Sequence, residues 1–240
     1  MTSHAQITDS FDVIIVGSGA GALSAAVFAA DNGMSVLVVE KSDKYGGTSA
    51  LSGGGIWIPN NDYFKVKGGD DSYEKSLTYL KASTNGRVAE SKLRAYLDNA
   101  SEMINYLEKH SRVRYAVAEK YPDYYPHLPG SLAGGRTLDP ELYDTGELGE
   151  ELDNLRAASP TTLLMGKIAW TARDAHKAIA KESGWRLMIL WLMLRYKLDF
   201  RWRKKQNTKR DRRAALGSSL IASLRKSLMD RNIPLWLNTD

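Results

Sequence analysis

Residues 11–40 read FDVIIVGSGAGALSAAVFAADNGMSVLVVE, and this stretch decides the fold. The apolar run at 13–16 ends at a glycine and predicts a short strand. The alanine-rich segment at 20–30 favours a helix that packs closely on a sheet, and Gly33 ends it. A second β-branched apolar run follows at 35–39. The pattern is that of one βαβ unit and predicts an α/β fold.

The turn between the first strand and the helix carries the strongest motif. It reads Gly17-Ser18-Gly19-Ala20-Gly21-Ala22. Gly17 allows the tight turn, Gly19 lets the backbone approach a pyrophosphate, and Ala22 keeps helix and strand close. The helix N-terminus offers free N–H groups and its positive dipole end to phosphates. Glu40, at the end of the second strand, can accept hydrogen bonds from both ribose hydroxyls, which argues against NADP.

These features predict a Rossmann-type dinucleotide site, but they do not choose between FAD and NAD. Residues 46–55, GGTSALSGGG, follow as a glycine-rich loop without helix or strand periodicity. Such a loop indicates a backbone that lies close to another group.

Composition excludes several classes of protein. The 240 residues are 43% apolar and 25% charged, which is typical of a globular protein and not of a disordered or fibrous one. There is no cysteine, so disulfides, thiolate metal sites and a catalytic thiol are excluded. The four histidines have no metal-ligand spacing, so no metal is expected. The residues before Phe11 show no secretory signal, so a cytoplasmic protein is expected.

The glycine-rich loop carries a family resemblance. Glu40-Lys41-Ser42 followed by Gly46-Gly47-Thr48-Ser49 resembles the fumarate reductase and succinate dehydrogenase flavoprotein superfamily. The continuation to Pro59, together with Tyr121-Pro122-Asp123-Tyr124-Tyr125-Pro126, resembles its 3-ketosteroid Δ1-dehydrogenase branch. The loop has no histidine for covalent flavin attachment. The resemblance therefore implies non-covalent FAD.

It also implies a set of cofactor-binding residues and one residue in the active site. Tyr124 matches the family tyrosine that supports a tyrosine base, although a proline-rich surface turn is the alternative interpretation of that segment. The cofactor-binding set is Gly17, Ser18, Gly19, Ala20, Gly21, Ala22, Glu40, Lys41, Ser42, Gly46, Gly47, Thr48, Ser49, Ser52, Gly53 and Gly54.

The activity implied by the resemblance is 1,2-dehydrogenation of a 3-ketosteroid, in which a tyrosine base takes the C2 proton and flavin N5 takes the C1 hydride. The alternatives are a Δ4-(5α)-dehydrogenase, a fumarate-type reductase, or a non-catalytic truncated FAD- or membrane-binding remnant. The family's base, its carbonyl-binding residues and its catalytic domain have no match up to Asp240. The chain is therefore expected to be the N-terminal part of an FAD-binding domain and to be inactive alone.

The predicted nucleotide-binding core comprises residues 11–58 and 215–240, with a largely helical insertion at 59–214. Helices are expected over 72–83 and 89–109, helical character over 161–200, and a last helix and strand over 217–231 and 234–238. In the second helix, apolar residues recur at one face, namely Leu93, Leu97, Ala100, Ile104 and Leu107. The acidic run at 139–153 is expected to be a solvated loop.

Residues 184–213 join an apolar run, GWRLMILWLML, to a segment with eight basic residues and one acidic residue. One interpretation is an interfacial helix in peripheral contact with an anionic membrane. The other is a buried helix with a solvated basic end. A single basic run with no recognisable module is poor evidence for nucleic-acid binding, and none is expected. The steroid and the electron acceptor remain open.

Overall fold

The computed structural model describes residues 10–239, in which short strands form three sheets. The residues before Ser10, on which the expectation of no secretory signal rests, lie outside this range. The strands are β1 (Val13–Val16), β2 (Val36–Val39), β3 (Ile56–Trp57), β4 (Tyr115–Val117), β5 (Thr137–Pro140), β6 (Tyr143–Asp144), β7 (Arg213–Ala214) and β8 (Leu235–Trp236).

Helices make up most of the other regular structure. They are α1 (Ala20–Asp31), α2 (Asp62–Val66), α3 (Tyr73–Thr84), α4 (Glu90–His110), α5 (Ala172–Ile179), α6 (Trp185–Leu198), α7 (Phe200–Lys205) and α8 (Leu216–Met229). Shorter 3₁₀ segments cover Ser49–Leu51, Thr145–Asn154 and Pro160–Thr162. The predicted helices near 72–83, 89–109 and 217–231 are thus confirmed.

The first sheet is parallel, with the strand order β1–β2–β8. Val13 lies opposite Val36, and Val38 lies opposite Leu235. Because α1 connects the two parallel strands β1 and β2, the predicted βαβ unit is confirmed. The C-terminal strand predicted at 234–238 joins the other edge of β2. Residues far apart in sequence therefore form one sheet.

Helix α1 packs on this sheet and also against α8. α1 contributes Leu23, Ala26 and Val27, which are fully buried, and it contacts α8. In α8 the predicted apolar face is confirmed, since Leu220, Leu224 and Leu228 all lie in the core. The small alanine side chains of α1 let the helices approach closely.

α4 also buries the face that its spacing predicts. Leu93, Leu97, Ala100, Ile104 and Leu107 are all buried. Charged residues of α4 stay exposed, and Arg94 pairs with Glu90. The helix therefore follows the amphipathic rule closely.

The second sheet is antiparallel, with the order β3–β5–β4. Trp57 pairs with Thr137, and Val117 pairs with Leu138. These strands were not predicted, because they lack a β-branched apolar run like those of β1 and β2. They are important for the site, since β3 directly follows the glycine-rich loop.

The expectation of a solvated loop at 139–153 is wrong. The run contributes to β5 and β6 and then forms a 3₁₀ segment with buried leucines at 148 and 152. Its acidic side chains pair with arginines that come much later in the chain. Asp144 accepts hydrogen bonds from Arg212 at 2.8 and 2.9 Å, and Glu151 accepts one from Arg225 at 2.9 Å. Local composition could not show these partners.

The predicted helical character over 161–200 is present only in part, because α5 does not begin until Ala172. The predicted apolar face of α6 exists but is exposed. More than half of the surface of Leu187, Leu190, Trp191 and Leu194 is accessible, whereas Leu192 is buried. Within residues 10–239, no helix combines the length and apolar character needed to cross a membrane.

The α8 core provides a test of the fold. Leu224 is fully buried, whereas Leu190 on α6 is 62% exposed. We predict that Leu224→Ala lowers the free energy of unfolding by roughly 2–5 kcal/mol, because it removes buried apolar contacts and leaves a cavity. Leu190→Ala should change it by less than about 1 kcal/mol. Urea unfolding followed by circular dichroism measures both, and equal effects would contradict the packing of α8.

Candidate functional site

The turn between β1 and α1 is held in the shape that its glycines allow. Gly17 has a φ of +96°, which side-chain-bearing residues rarely adopt, and its N–H donates to the Val39 carbonyl at 2.7 Å. Helix α1 begins with Gly19 as its N-cap, and glycine has no side chain that could bond the first turn. Backbone N–H groups are therefore the donors at the start of the helix.

This helix start has free donors, and its own first turn carries no acid. Among residues 10–239, no acceptor lies within hydrogen-bond reach of the N–H groups of Gly21 and Ala22, and the first turn has no acid. A Cβ atom added at Gly17 or Gly21 would meet no atom within 4 Å, so the space before the turn is open. Free N–H groups at a positive helix end form an anion-binding geometry.

Glu40 lies at the end of β2 and is only 8% exposed. Its Oε2 accepts hydrogen bonds from the Ser18 hydroxyl and from the Ser18 N–H at 3.0 Å, while Oε1 accepts from the Ser42 N–H at 3.0 Å. Burial by itself would raise the pKa of Glu40, but the hydrogen bonds from Ser18 and Ser42 outweigh it and lower that pKa. The carboxylate is therefore charged at neutral pH.

The glycine-rich loop is bonded to the same turn. The Gly46 N–H donates to the Ser18 hydroxyl oxygen at 2.9 Å, and the Ala20 N–H donates to the Ser49 hydroxyl oxygen at 3.1 Å. Three segments that the sequence predicted separately, at 17–22, at 40–42 and at 46–49, thus form one hydrogen-bonded unit.

The start of helix α8 packs against the glycine-rich loop. The Gly217 N–H donates to the Ser52 carbonyl at 3.1 Å. A Cβ atom on Gly54 would lie 2.5 Å from the Gly217 nitrogen, and one on Gly217 would lie 1.9 Å from the Ser49 carbonyl oxygen. Only glycine at both positions permits this approach. The last helix therefore helps to shape the loop.

The remaining predicted cofactor residues border this unit. Lys41 and Thr48 are exposed. Ser42 accepts a hydrogen bond from Arg156 at 3.0 Å. Gly47 and Gly53 face open space, since an added Cβ would meet nothing within 4 Å.

A cavity of about 870 Å³ adjoins the far end of the loop. The backbone at 52–57 forms one wall, and Tyr121 and Tyr124 contribute to another. Tyr124 is 77% exposed, and its ring meets that of Tyr121 edge to face, with centroids 6.4 Å apart. Trp170 lines the cavity as well. The structure thus brings Tyr124 to the same cavity as Ser52, Gly53 and Gly54.

Asp139 is a cavity residue that sequence analysis missed. It is 9% exposed, and its side chain makes no hydrogen bond within the described range 10–239. An added Cβ on Gly55 would lie 3.1 Å from its Oδ1. Burial raises the pKa of Asp139. The residue was hidden within the acidic run, and only the fold turns it toward the cavity.

A buried ion cluster was also missed. Arg136 is 1% exposed and pairs with Asp71 at 2.7 Å and with Asp123 at 2.8 Å. Asp123 lies in a motif that carried the resemblance, but Asp71, which shares Arg136 with it, lies more than fifty positions earlier. Nothing in local sequence pairs the three.

Known proteins match nearly the whole of this chain. The model of the family "FAD binding domain" matches residues 12–240. The 3-oxosteroid 1-dehydrogenase of Comamonas testosteroni is 41% identical over 230 residues, which are 95% of this chain and 40% of that protein. The 4-oxocyclohexanecarboxylate 2-dehydrogenase of Sinomonas cyclohexanicum is 41% identical over 194 residues, 77% of this chain and 34% of that protein.

A solved structure agrees with these relatives. The 3-ketosteroid Δ1-dehydrogenase of Sterolibacterium denitrificans, in complex with 1,4-androstadiene-3,17-dione, superposes with a TM-score of 0.91 at 52% identity. The match covers 96% of this chain and 41% of that one, so the chain spans about two fifths of the length of its relatives. The resemblance drawn from the motifs is confirmed: the chain belongs to the family of FAD-binding domains and is similar to part of the 3-oxosteroid 1-dehydrogenases.

Proposed function

We propose that this chain is the FAD-binding part of an enzyme that dehydrogenates the C1–C2 bond of a 3-ketosteroid. The observation that carries the proposal is the continuity of the site. One hydrogen-bonded unit runs from the anion-binding turn through Glu40 to the glycine-rich loop, and the far end of that loop borders the cavity where Tyr124 is exposed.

The residues present fit FAD in a Rossmann-type core comprising 11–58 and 215–240. The pyrophosphate would lie against the turn at 17–22, where the N–H groups of Gly21 and Ala22 are free. Glu40 would take the ribose hydroxyls, because its Oε1 accepts only one hydrogen bond from residues 10–239 and a carboxylate oxygen has room for another. The loop at 46–54 would lie along the ring system. No histidine is available in this loop, so the attachment would be non-covalent.

The cavity suits an apolar, rigid substrate. Its volume of about 870 Å³ lies within the range of small-molecule sites, and its lining includes Ile56, Val117 and Trp170. Apolar walls exclude water, and a dry site strengthens the hydrogen bonds that polarise a ketone. Such polarisation makes the neighbouring C2 proton acidic, and the Tyr124 hydroxyl would support the tyrosine base that removes it. Bound FAD supplies the acceptor for the hydride.

Reactions on other substrates are the alternatives. A Δ4-(5α)-dehydrogenase or a fumarate-type reductase would use the same cofactor unit. The similarity to a 4-oxocyclohexanecarboxylate 2-dehydrogenase adds a smaller cyclic ketone to the candidate substrates. Each gives a different product: 4-androstene-3,17-dione gains a 1,2 double bond only under the proposed reaction. Product analysis by mass and ultraviolet spectra separates them, and absence of the 1,4-diene from the FAD-loaded, full-length gene product would contradict the proposal.

Glu40 provides a test of cofactor binding. We predict that Glu40→Ala weakens FAD binding by the chain about tenfold to a hundredfold, because a charged acceptor and the anchor of Ser18 are lost together. Quenching of flavin fluorescence on titration measures the Kd. Asp43→Ala removes an exposed carboxylate nearby and should leave the Kd unchanged. If Glu40→Ala also left it unchanged, the ribose would bind elsewhere.

Tyr124 provides a test of the reaction. We predict that Tyr124→Phe lowers kcat on 4-androstene-3,17-dione by about tenfold to a hundredfold, less than the roughly 10²–10⁴ that a general base itself contributes. The assay follows dye reduction by the full-length gene product loaded with FAD. Tyr125→Phe is the matched control, because Tyr125 is also exposed and its hydroxyl makes no hydrogen bond in the structure described for 10–239. Equal effects of the two substitutions would contradict an active-site role for Tyr124.

We also propose peripheral membrane contact through residues 184–213. The supporting observation is the exposed leucine face of α6 beside the basic helix α7. Apolar burial and attraction to anionic lipid together would hold the chain at the surface. We predict that co-sedimentation with phosphatidylserine-containing vesicles is lost when Arg203, Lys204 and Lys205 are changed to Gln. Charge-neutral vesicles serve as the control. Binding that changes neither with the substitutions nor with the lipid charge would exclude the proposal.

A further inference from the structure

The segment around Tyr124 has an exposed ring on a firmly held backbone. Tyr124 is 77% exposed, whereas the side chain of Asp123 is only 2% exposed. An exposed tyrosine in a loop between prolines would ordinarily move freely. Hydrogen bonds on both sides of this one restrict its backbone.

On the N-terminal side, the Asp123 carboxylate accepts three hydrogen bonds. Its Oδ1 accepts from the Trp57 indole N–H at 2.7 Å. Its Oδ2 accepts from Arg136 at 2.8 Å and from the Leu132 N–H at 2.9 Å. The Asp123 N–H in turn donates to the Leu132 carbonyl at 3.0 Å. Both the backbone and the carboxylate of the residue before Tyr124 are therefore tied down.

Arg136 connects this carboxylate to a second one. The guanidinium donates to Asp71 through Nε at 2.9 Å and Nη2 at 2.7 Å, a bidentate contact. Asp71 also accepts from the backbone N–H groups of Asn60 and Ser72, each at 2.8 Å. Although burial opposes it, these donors lower the pKa of Asp71. Two carboxylates and one guanidinium thus meet in the interior, where nearly every lone pair has a donor.

On the C-terminal side, the Tyr125 N–H donates to the Tyr79 hydroxyl oxygen at 3.1 Å. The ring of Tyr79 lies 5.5 Å from the Arg136 guanidinium carbon and 5.8 Å from the ring of Trp57. The two anchors of the Tyr124 segment therefore meet in a single cluster.

That cluster also reaches the cofactor loop. Trp57 belongs to β3, which begins directly after Gly55. Its indole N–H holds Asp123, and its ring lies 5.6 Å from the Arg136 guanidinium carbon. The same side chain thus sets the position of the loop end and that of the Tyr124 segment.

We propose that five residues, Trp57, Asp71, Tyr79, Asp123 and Arg136, form a clamp that positions the Tyr124 hydroxyl relative to the flavin-side loop. They are positioning residues, because they act through Tyr124 and their side chains need not touch substrate. The inference rests on the proposed function, in which Tyr124 supports the catalytic base. A clamp that merely stabilised the fold would change kcat independently of Tyr124, and this difference can be measured.

The test uses the mildest break in the clamp. Tyr79→Phe removes only the hydroxyl that accepts from Tyr125, and it keeps the ring and the buried charges. Tyr63→Phe is the matched control, because its hydroxyl donates to Glu108 at 2.6 Å in a different part of the structure. Substitution of Asp71 or Arg136 is not used, because it would leave a buried charge without a partner and unfold the chain.

The first measurement follows the backbone in the chain itself. Chymotrypsin cleaves after tyrosine but not before proline, and prolines follow Tyr121 and Tyr125. The Tyr124–Tyr125 bond is therefore the susceptible tyrosine bond of this segment. We predict that Tyr79→Phe raises the rate of cleavage at the Tyr124–Tyr125 bond about 2- to 12-fold, which corresponds to the loss of one hydrogen bond. The Tm of the chain should stay unchanged, because only this segment opens more often. Tyr63→Phe should leave the cleavage rate at this bond unchanged. An unchanged rate in Tyr79→Phe would overturn the clamp.

The second measurement is a double-mutant cycle on the FAD-loaded, full-length gene product. Tyr79→Phe should lower kcat about threefold to tenfold with little change in KM, and it should have no further effect when Tyr124 is already Phe. Independent effects of the two substitutions would overturn positioning through Tyr124. If Tyr124→Phe leaves kcat unchanged, the proposed function fails instead, whereas the cleavage experiment still judges the clamp by itself.

Discussion

One buried carboxylate, that of Glu40, joins the parts on which the cofactor unit depends. It receives the Ser18 hydroxyl and N–H from the turn and the Ser42 N–H from the chain that leads to the loop. The Ser18 hydroxyl oxygen in turn accepts from the Gly46 N–H. A charged acceptor in a low-dielectric setting makes such bonds strong, and it makes an unpaired carboxylate costly. The turn, the strand end and the loop are therefore constrained together.

The cluster around Arg136 applies the same physics at the other end of the loop. Desolvation of an ion costs several kcal/mol, and good geometry with additional donors offsets it. Asp71 and Asp123 meet this condition through backbone N–H groups and the Trp57 indole. Two buried charge networks thus hold the loop at 46–55, one before it and one after it. Between them lies a backbone of glycines, which could not keep one shape unaided.

The sequence predicted what depends on local periodicity and on glycine chemistry. The βαβ unit, the buried face of α4, the leucine face of α8 and the returning strand β8 all follow from spacing that a reader can count. The short strands β3, β4 and β5 could not be predicted, because they lack a β-branched apolar run like VIIV in β1 or VLVV in β2. The acidic run at 139–153 was misjudged because its cations, among them Arg212 and Arg225, come 60 to 80 residues later.

By itself, the sequence determined the class of the protein: a strand–turn–helix that presents free N–H groups to a phosphate, and a glycine-rich loop that marks the flavoprotein family. These are properties of neighbouring residues, and neighbours are fixed by the chain. Tertiary structure decided which distant groups meet. It brought Gly217 against Gly54, turned Asp139 toward the cavity, and enclosed Arg136 between Asp71 and Asp123. The attraction between two charges becomes strong only when folding has removed water from around them. Because that removal depends on residues distant in sequence, it cannot be read from the order of neighbouring residues.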